Sequence, residues 1–484
     1  MIFPFPPFEP DKGQFSTDAT SYVINMQPTS SGWGPIPSLT TISTALPAEC
    51  RGAAYVITST GTIRIVAATA TNIYQLDTST YTWTSITGAA GPYHLNANDY
   101  WTFTLFGNSL IIHNISDPIQ VYDVTTGGTV TTLAGSPPQA KYSWVSGDYL
   151  VLGYLSTTSG ERTVQWSGLN DATHWVIGKK GADSQELPEG NEVMGGFGDQ
   201  GGFYVLQKSA MQFFGFAPGS GYTFTRTIVN PKRGVVSPRS IVSVGPTQFY
   251  YLSEDGFMSG AERKPIGAER VDNWFMDNLD ISTIADVQGA SDPFEKIVWW
   301  RFKTNSGLYA RIGYNWELDR WTYSDVNVTE MTTMAKPGVT WDGLATLYAS
   351  IDAVDLPFDS RVFLGGRPTF AAFTPDFKLG FFAGGNLLAR IDTPLMQFDI
   401  NRRAFVRNAR VVTDASNYYL RGAVADYHGD SLTFSPGVTP NTRSQMCDFR
   451  NDGRLHKIRL TIHSNDVWDN VNSVSLDAVL TGTV

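Results

Sequence analysis

Ile73-Tyr-Gln-Leu-Asp77-Thr-Ser-Thr-Tyr-Thr-Trp83 reads as a strand, a polar turn and a returning strand. Apolar and aromatic residues flank a run of hydroxyls around one aspartate, the side chain that bonds back to the backbone of a tight turn. The unit recurs as Ile119-Gln-Val-Tyr-Asp123-Val-Thr-Thr-Gly-Gly, and in part as Asp171-Ala-Thr-His-Trp175 and Tyr314-Asn-Trp-Glu-Leu-Asp319-Arg-Trp321. Asp77, Asp123, Asp171 and Asp319 are separated by 46, 48 and 148 residues, the last close to three times the others. A period of about 40–50 residues with four strands per unit is the signature of propeller blades. The span 53–325 then holds about six of them at that period. A large β-sandwich with coincidental spacing is the competing architecture.

The stretch between the third and last repeats fits the pattern. Gly202-Phe-Tyr-Val-Leu-Gln, Met211-Gln-Phe-Phe-Gly-Phe and Phe249-Tyr-Tyr-Leu-Ser read as strands, rich in β-branched and aromatic residues. Within 269–279, Val271, Trp274, Phe275 and Leu279 follow helical spacing. Residues 1–52 read as an extended N-terminal arm, because Pro4, Pro6, Pro7, Pro10, Pro28, Pro35, Pro37 and Pro47 recur too often for a helix or a central strand. The arm nevertheless carries Phe3, Phe5, Phe8, Phe15, Tyr22 and Trp33, side chains that a solvated linker does not need. They predict packing along another surface, the chain's own body or a neighbouring subunit, and inter-subunit contact is the expected use. Residues 326–375 read as a connector. Residues 376–484 return to strands, with His456, Ile458, Leu460 and Ile462 on one face and Leu455, Lys457, Arg459 and Thr461 on the other. A β-sandwich or jelly-roll-like domain is expected there. The fold class is thus all-β: a six-bladed propeller with an N-terminal arm and a C-terminal sandwich.

Composition narrows the function. The chain has 484 residues, of which 42% are hydrophobic and only 17% charged, so wholesale disorder is excluded. Its net charge is −10, with 20 Lys and Arg against 29 Asp and Glu in residues 1–325. A protein that grips nucleic acid through its phosphates carries a basic excess. Two cysteines, Cys50 and Cys447, make no disulfide framework and no CxxC pair. No two of the six histidines have the i, i+4 spacing of a helical zinc motif. The first residues lack the basic start of a signal peptide, and no apolar run of about 18 residues predicts a membrane-spanning helix. Synthesis in a cytosol is the expectation.

The search for chemistry predicts no catalytic, cofactor-binding or metal-binding residues. Phosphate-cradling glycine loops and the nucleophile elbow are missing. Asp448-Phe-Arg-Asn-Asp-Gly453 breaks the alternation of a calcium loop and reads as a hairpin turn, as does Glu254-Asp255-Gly256. Glu186, Glu189 and Glu192 cluster, but spacing alone places no two carboxylates for glycoside chemistry. Two basic clusters stand out. Lys232, Arg233 and Arg239 surround Gly234, and Arg402, Arg403, Arg407 and Arg410 lie within nine residues, with Arg403 and Arg407 on one face of a strand. The second cluster is read as a partner-docking patch, with a solvated strand edge that blocks pairing as the alternative.

Residues in linear order also carry a resemblance. Arg233-Gly-Val-Val-Ser-Pro238-Arg-Ser240-Ile241 is followed by Phe249-Tyr-Tyr-Leu252-Ser-Glu-Asp255-Gly256-Phe, Pro265-Ile-Gly267 and Val271-Asp-Asn-Trp274-Phe275. Then come Gly289-Ala-Ser-Asp292-Pro293, Val298-Trp-Trp, Tyr314-Asn and Arg320-Trp321. The arm matches in style through Pro10-Asp11, Asn25-x-x-Pro28, Gly32-x-Gly-Pro35-x-Pro37 and Arg51-Gly52. Over about 10–325 the chain resembles the tail nozzle, or head-to-tail DNA-stabilisation, proteins of short-tailed double-stranded DNA bacteriophages.

The resemblance implies a structural virion protein assembled in the host cytoplasm, with no catalytic site and no cofactor. It implies a homo-oligomeric ring, usually a hexamer, below the portal-side or adaptor ring. Such a ring docks a tail fibre, spike or plug, and double-stranded DNA passes through it without tight binding. An acidic wall suits such passage, since it repels phosphates. The rival readings are a propeller glycoside hydrolase and a carbohydrate-binding propeller. Deletion of residues 1–40 is expected to leave a folded propeller that no longer assembles.

Overall fold

The structure, a computed structural model, describes residues 1–13, 16–58, 60–245, 248–335 and 368–483. The chain is all-β. Seven four-stranded antiparallel sheets, propeller-like in strand order, follow one another among the described residues. Six lie within 53–325, beginning with Ala53–Ile57, Thr102–Phe106, Ala140–Ser146, Val193–Asp199, Val242–Ser243 and Gln288–Asp292. Each zigzags outward through its four strands in chain order.

The repeat has a direct structural counterpart. Asp77, Asp123, Asp171 and Asp319 each stand at the turn between the third and fourth strands of their sheets. Asp77 Oδ1 accepts the amides of Ser79 and Thr80, and Asp123 Oδ1 those of Thr125 and Thr126. These bonds favour the ionised form and hold both carboxyls below the usual range.

The expected count of six blades changes to seven sheets. The seventh combines Glu330–Ala335, Pro368–Phe373 and Lys378–Asn386 with an outer strand, Pro37–Ala45, from the N-terminal arm. It therefore draws on stretches that the sequence reading assigns to the arm, the connector and the sandwich. The reason is topological. One strand of this sheet precedes the first sheet in the chain and three follow the sixth, so no local repeat marks it.

Packing follows the same circle. Buried apolar clusters join the first sheet to the second, the second to the third and so on, and the last joins the seventh to the first through Ile42, Leu46, Ile65, Leu76, Phe373 and Phe381. Thr44 and Trp83 tie the outer strands of the seventh and first sheets, Trp83 Nε1 donating to the Thr44 carbonyl at 3.1 Å. Alternation sorts the faces. In Ile297–Lys303, Trp300 donates to the Ser240 carbonyl beside the fifth sheet, whereas Trp299 stacks on Phe370 of the seventh.

The remainder forms two further sheets around one apolar core. One orders Met26–Thr29, Gly32–Pro35, Val471–Thr483, Arg402–Thr413 and Cys447–Gly453, with Ile2–Pro4 also paired to Val471–Thr483. The other joins Val23–Ile24, Ala389–Asp392, Leu455–Ile462 and Met396–Gln397, with Tyr418–Ala425 also on Leu455–Ile462. Asp448–Gly453 is thus strand rather than a hairpin turn, while Glu254-Asp255 does turn between two strands. The expected helix is one short element, Asp272–Asn278.

Candidate functional site

The sequence-selected arm residues are placed within their own chain. Phe5, Phe8 and Trp33 are 5%, 1% and 0% exposed and belong to the core shared by the two C-terminal sheets and the fifth and sixth blade-like sheets. Phe8 meets Trp274 edge-on at 5.4 Å, Phe3 meets Phe398 at 5.8 Å, and Tyr22 lies under the Arg459 guanidinium at 3.9 Å. Phe15 lies outside the described residues. Phe5, Phe8 and Trp33 thus find their burial within this chain.

Polar bonds fix the same path. Arg270 Nε donates to Glu9 at 2.7 Å, and the Asp11 carboxylate accepts the amides of Asn273 and Trp274 at 2.8 Å each. Val271, before helix Asp272–Asn278, has no side-chain cap of its own. Asp11 therefore caps, from the arm, amides that a helix end leaves unpaired.

The arginine cluster on Arg402–Thr413 divides. Arg403 bonds Asp426 at 2.5 Å and Asp452 at 3.1 Å, and Arg407 bonds Asp477 at 3.2 Å. Arg402 and Arg410 are exposed on the same strand. The other cluster divides more sharply. Arg233 pairs with Asp255, whereas Arg239 is directed inward to Glu330. The carboxylates of 186–192 are each engaged by a base: Glu186 with Arg162 at 3.2 Å, Glu189 with Arg226 at 2.9 Å and Glu192 with Lys208 at 3.0 Å.

Arg239 leads to a polar hub that the sequence does not announce. Its guanidinium lies over the Tyr100 ring at 3.6 Å, pairs with Glu330 and approaches Asp286 at 3.6 Å. Tyr100 donates to Asp286, which also holds Arg301 at 3.0 Å. Gln288 donates to Glu330 at 2.9 Å and to the Met331 carbonyl at 2.6 Å, and Arg51 stands over Tyr100 at 5.5 Å. These residues sit at or near the first strands of the first, second, fifth, sixth and seventh sheets. The second and sixth sheets are not neighbours in the circle. A bond from Tyr100 to Asp286 must therefore cross its middle, and the hub is closed by side chains of one chain.

The hub is ill suited to covalent chemistry. Two arginines face two carboxylates, so the core charges balance. Burial pushes the Tyr100 hydroxyl up to about 12, which keeps it a proton donor to Asp286 at neutral pH. Burial also pushes the Cys50 thiol well up, and Glu330 adds to the effect. A nucleophile needs the opposite shift. The signal available in sequence is Arg301 inside the apolar run Ile297-Val-Trp-Trp-Arg-Phe, since a charge in such a strand demands a partner.

In comparisons with known proteins, no family model and no curated protein matches the chain.

Proposed function

We propose that this chain is a structural subunit of a short bacteriophage tail, a seven-bladed propeller repeated around a nozzle ring that carries the genome. The hub closure carries the reading. With Arg239, Asp286, Arg301 and Glu330 spanning the middle of the blades, a duplex passes outside the individual subunit, and a conduit has to be built between copies. The motif run from Arg233 to Trp321 supports the same family. Its residues join the fifth and sixth sheets: Ser237 donates to the Val287 carbonyl at 2.7 Å, Trp300 to that of Ser240 at 2.9 Å, and Trp321 to that of Ile266 at 2.9 Å. The acidic excess of residues 1–325 suits a wall that does not hold phosphates. Exposed Arg402 and Arg410 are the docking groups for a neighbouring tail component. Light scattering and negative-stain imaging of the purified chain test the proposal. The expected particle is a ring, usually of six copies, with a central hole that admits a duplex. A chain that stays monomeric at all concentrations and cleaves glycans would overturn it.

A further inference from the structure

Among the described residues, a second buried arginine makes no salt bridge. Arg301 and Arg311 are direct cross-strand partners, so both project from the same face of the sixth sheet towards the seventh. Arg301 is neutralised by Asp286. Arg311 is 0% exposed, and its Nε, Nη1 and Nη2 have no hydrogen-bond partner. Burial draws its pKa down to about 9, and Asp292 and Asp325 act on it only through space. An unpaired buried cation is costly, and fold stability is better served by an apolar residue there. A group kept at such a cost marks a site rather than a scaffold.

Arg311 lines a cavity of ≈ 450 Å³ between the sixth and seventh sheets, a size ordinary for a small-molecule site. Trp299, Phe370, Phe382 and Ile36 supply apolar walls, and two carboxylates, Asp292 and Glu295, stand at the same cavity. The Phe382 and Trp299 rings lie 3.9 and 4.5 Å from the guanidinium carbon. The rings engage the guanidinium through their π faces, which leaves the hydrogen-bonding capacity of its N–H groups unused. A planar fork matches a carboxylate through two parallel bonds. The negative charge of Asp292 and Glu295 disfavours a dianion such as a phosphate monoester more strongly than a singly charged carboxylate.

We propose that this cavity binds a small carboxylate with a flat apolar body, its carboxylate on Arg311 and its body among Trp299, Phe370 and Phe382. The N–H groups are sealed from water, so ligand entry displaces a wall side chain. The test is thermal unfolding of the full chain with benzoate, with neutral benzamide and phenyl phosphate as controls. Benzoate should raise the wild-type midpoint saturably and more than either control. R311M should melt higher than wild type without ligand and lose the benzoate response. R311K, which keeps the charge without the fork, should weaken that response at least tenfold in concentration; it decides the matter if R311M does not fold. No benzoate response in wild type, an equal response in R311K, or a larger response to phenyl phosphate overturns the proposal.

Discussion

Cutting into the arm separates an intramolecular clamp from an assembly device. Residues 1–36 contribute Phe5, Phe8, Val23, Met26, Trp33 and Ile36, all 5% exposed or less. At roughly 1.5–3 kcal/mol per buried side chain, their loss removes about 9–18 kcal/mol, as much as the whole stability of a typical domain, about 5–15 kcal/mol. The same cut unpairs Val471–Thr483 from Ile2–Pro4 and Ala389–Asp392 from Val23–Ile24. Deleting residues 1–40 also takes part of Pro37–Ala45, the outer strand of the seventh sheet. Such a chain should not fold its C-terminal sheets, in contrast to the sequence expectation of a folded but unassembled propeller. A milder change gives the cleaner measurement. Phe8→Ala removes a ring that packs on Trp274 and should cost about 3–5 kcal/mol. Urea unfolding at two widely separated protein concentrations reads both the size and the origin of the loss. An intramolecular clamp gives the same midpoint shift at both. A shift seen only in concentrated, assembled protein, with dilute monomer unaffected, would refute the argument and return the arm to a neighbouring subunit.

Three further outcomes follow from the site geometry. Glu330→Gln leaves Arg239 in the hub with only the longer contact to Asp286, so a loss of about 3–5 kcal/mol in chemical denaturation is expected; an unchanged midpoint would show that the hub contributes no stability. Burial raises the folded-state pKa of Asp272 to about 6, above its ordinary 3.8, so the folded state binds more protons between those values and stability falls as pH rises from about 4 to about 6. Asp272→Asn should flatten that slope in melts across the window, and a variant with the wild-type slope contradicts the assignment. Arg402→Glu with Arg410→Glu should leave melting unchanged and abolish docking of one tail component in assembled particles while DNA is retained; genome leakage from fully assembled tails would place this strand against the duplex instead.

Local chemistry was legible and long-range closure was not. The Asp77, Asp123 and Asp171 turns are recognisable because a short carboxylate, hydroxyl neighbours and flanking apolar runs all act within about ten residues. The strands at 202–207, 211–216 and 249–253 were visible for the same reason. Phe5, Phe8 and Trp33 are buried and Phe3 and Tyr22 half-buried, yet no pattern within 1–52 states which surface covers them. Pro37–Ala45 escaped notice because prolines flank it and its partner, Lys378–Asn386, lies over 300 residues away. The hub is hidden in the same way. Tyr100, a common donor, and Asp286, a common acceptor at the end of a short 3-10 helix, carry no local signal, and only the arrangement of the sheets brings them together.

The closure of the seventh sheet links the fold to the work proposed for it. Its outer strand is synthesised first and its other three strands last, so the circle cannot shut until nearly 390 residues have been made. Contacts of such sequence separation are slow to form, since the loop entropy is lost before any contact is gained. In return, the first and seventh sheets are held by both ends of the blade-forming chain, and the arm continues from that joint into the C-terminal sheets through Asn25, which bonds Asp325 at 2.8 Å and the Leu388 carbonyl at 3.1 Å. The blades, the arm and the C-terminal sheets therefore share one load path. On the proposed reading of a ring subunit, such a path keeps the arm from slipping, because it is held at Asp11 by the helix amides and at Asn25 by Asp325.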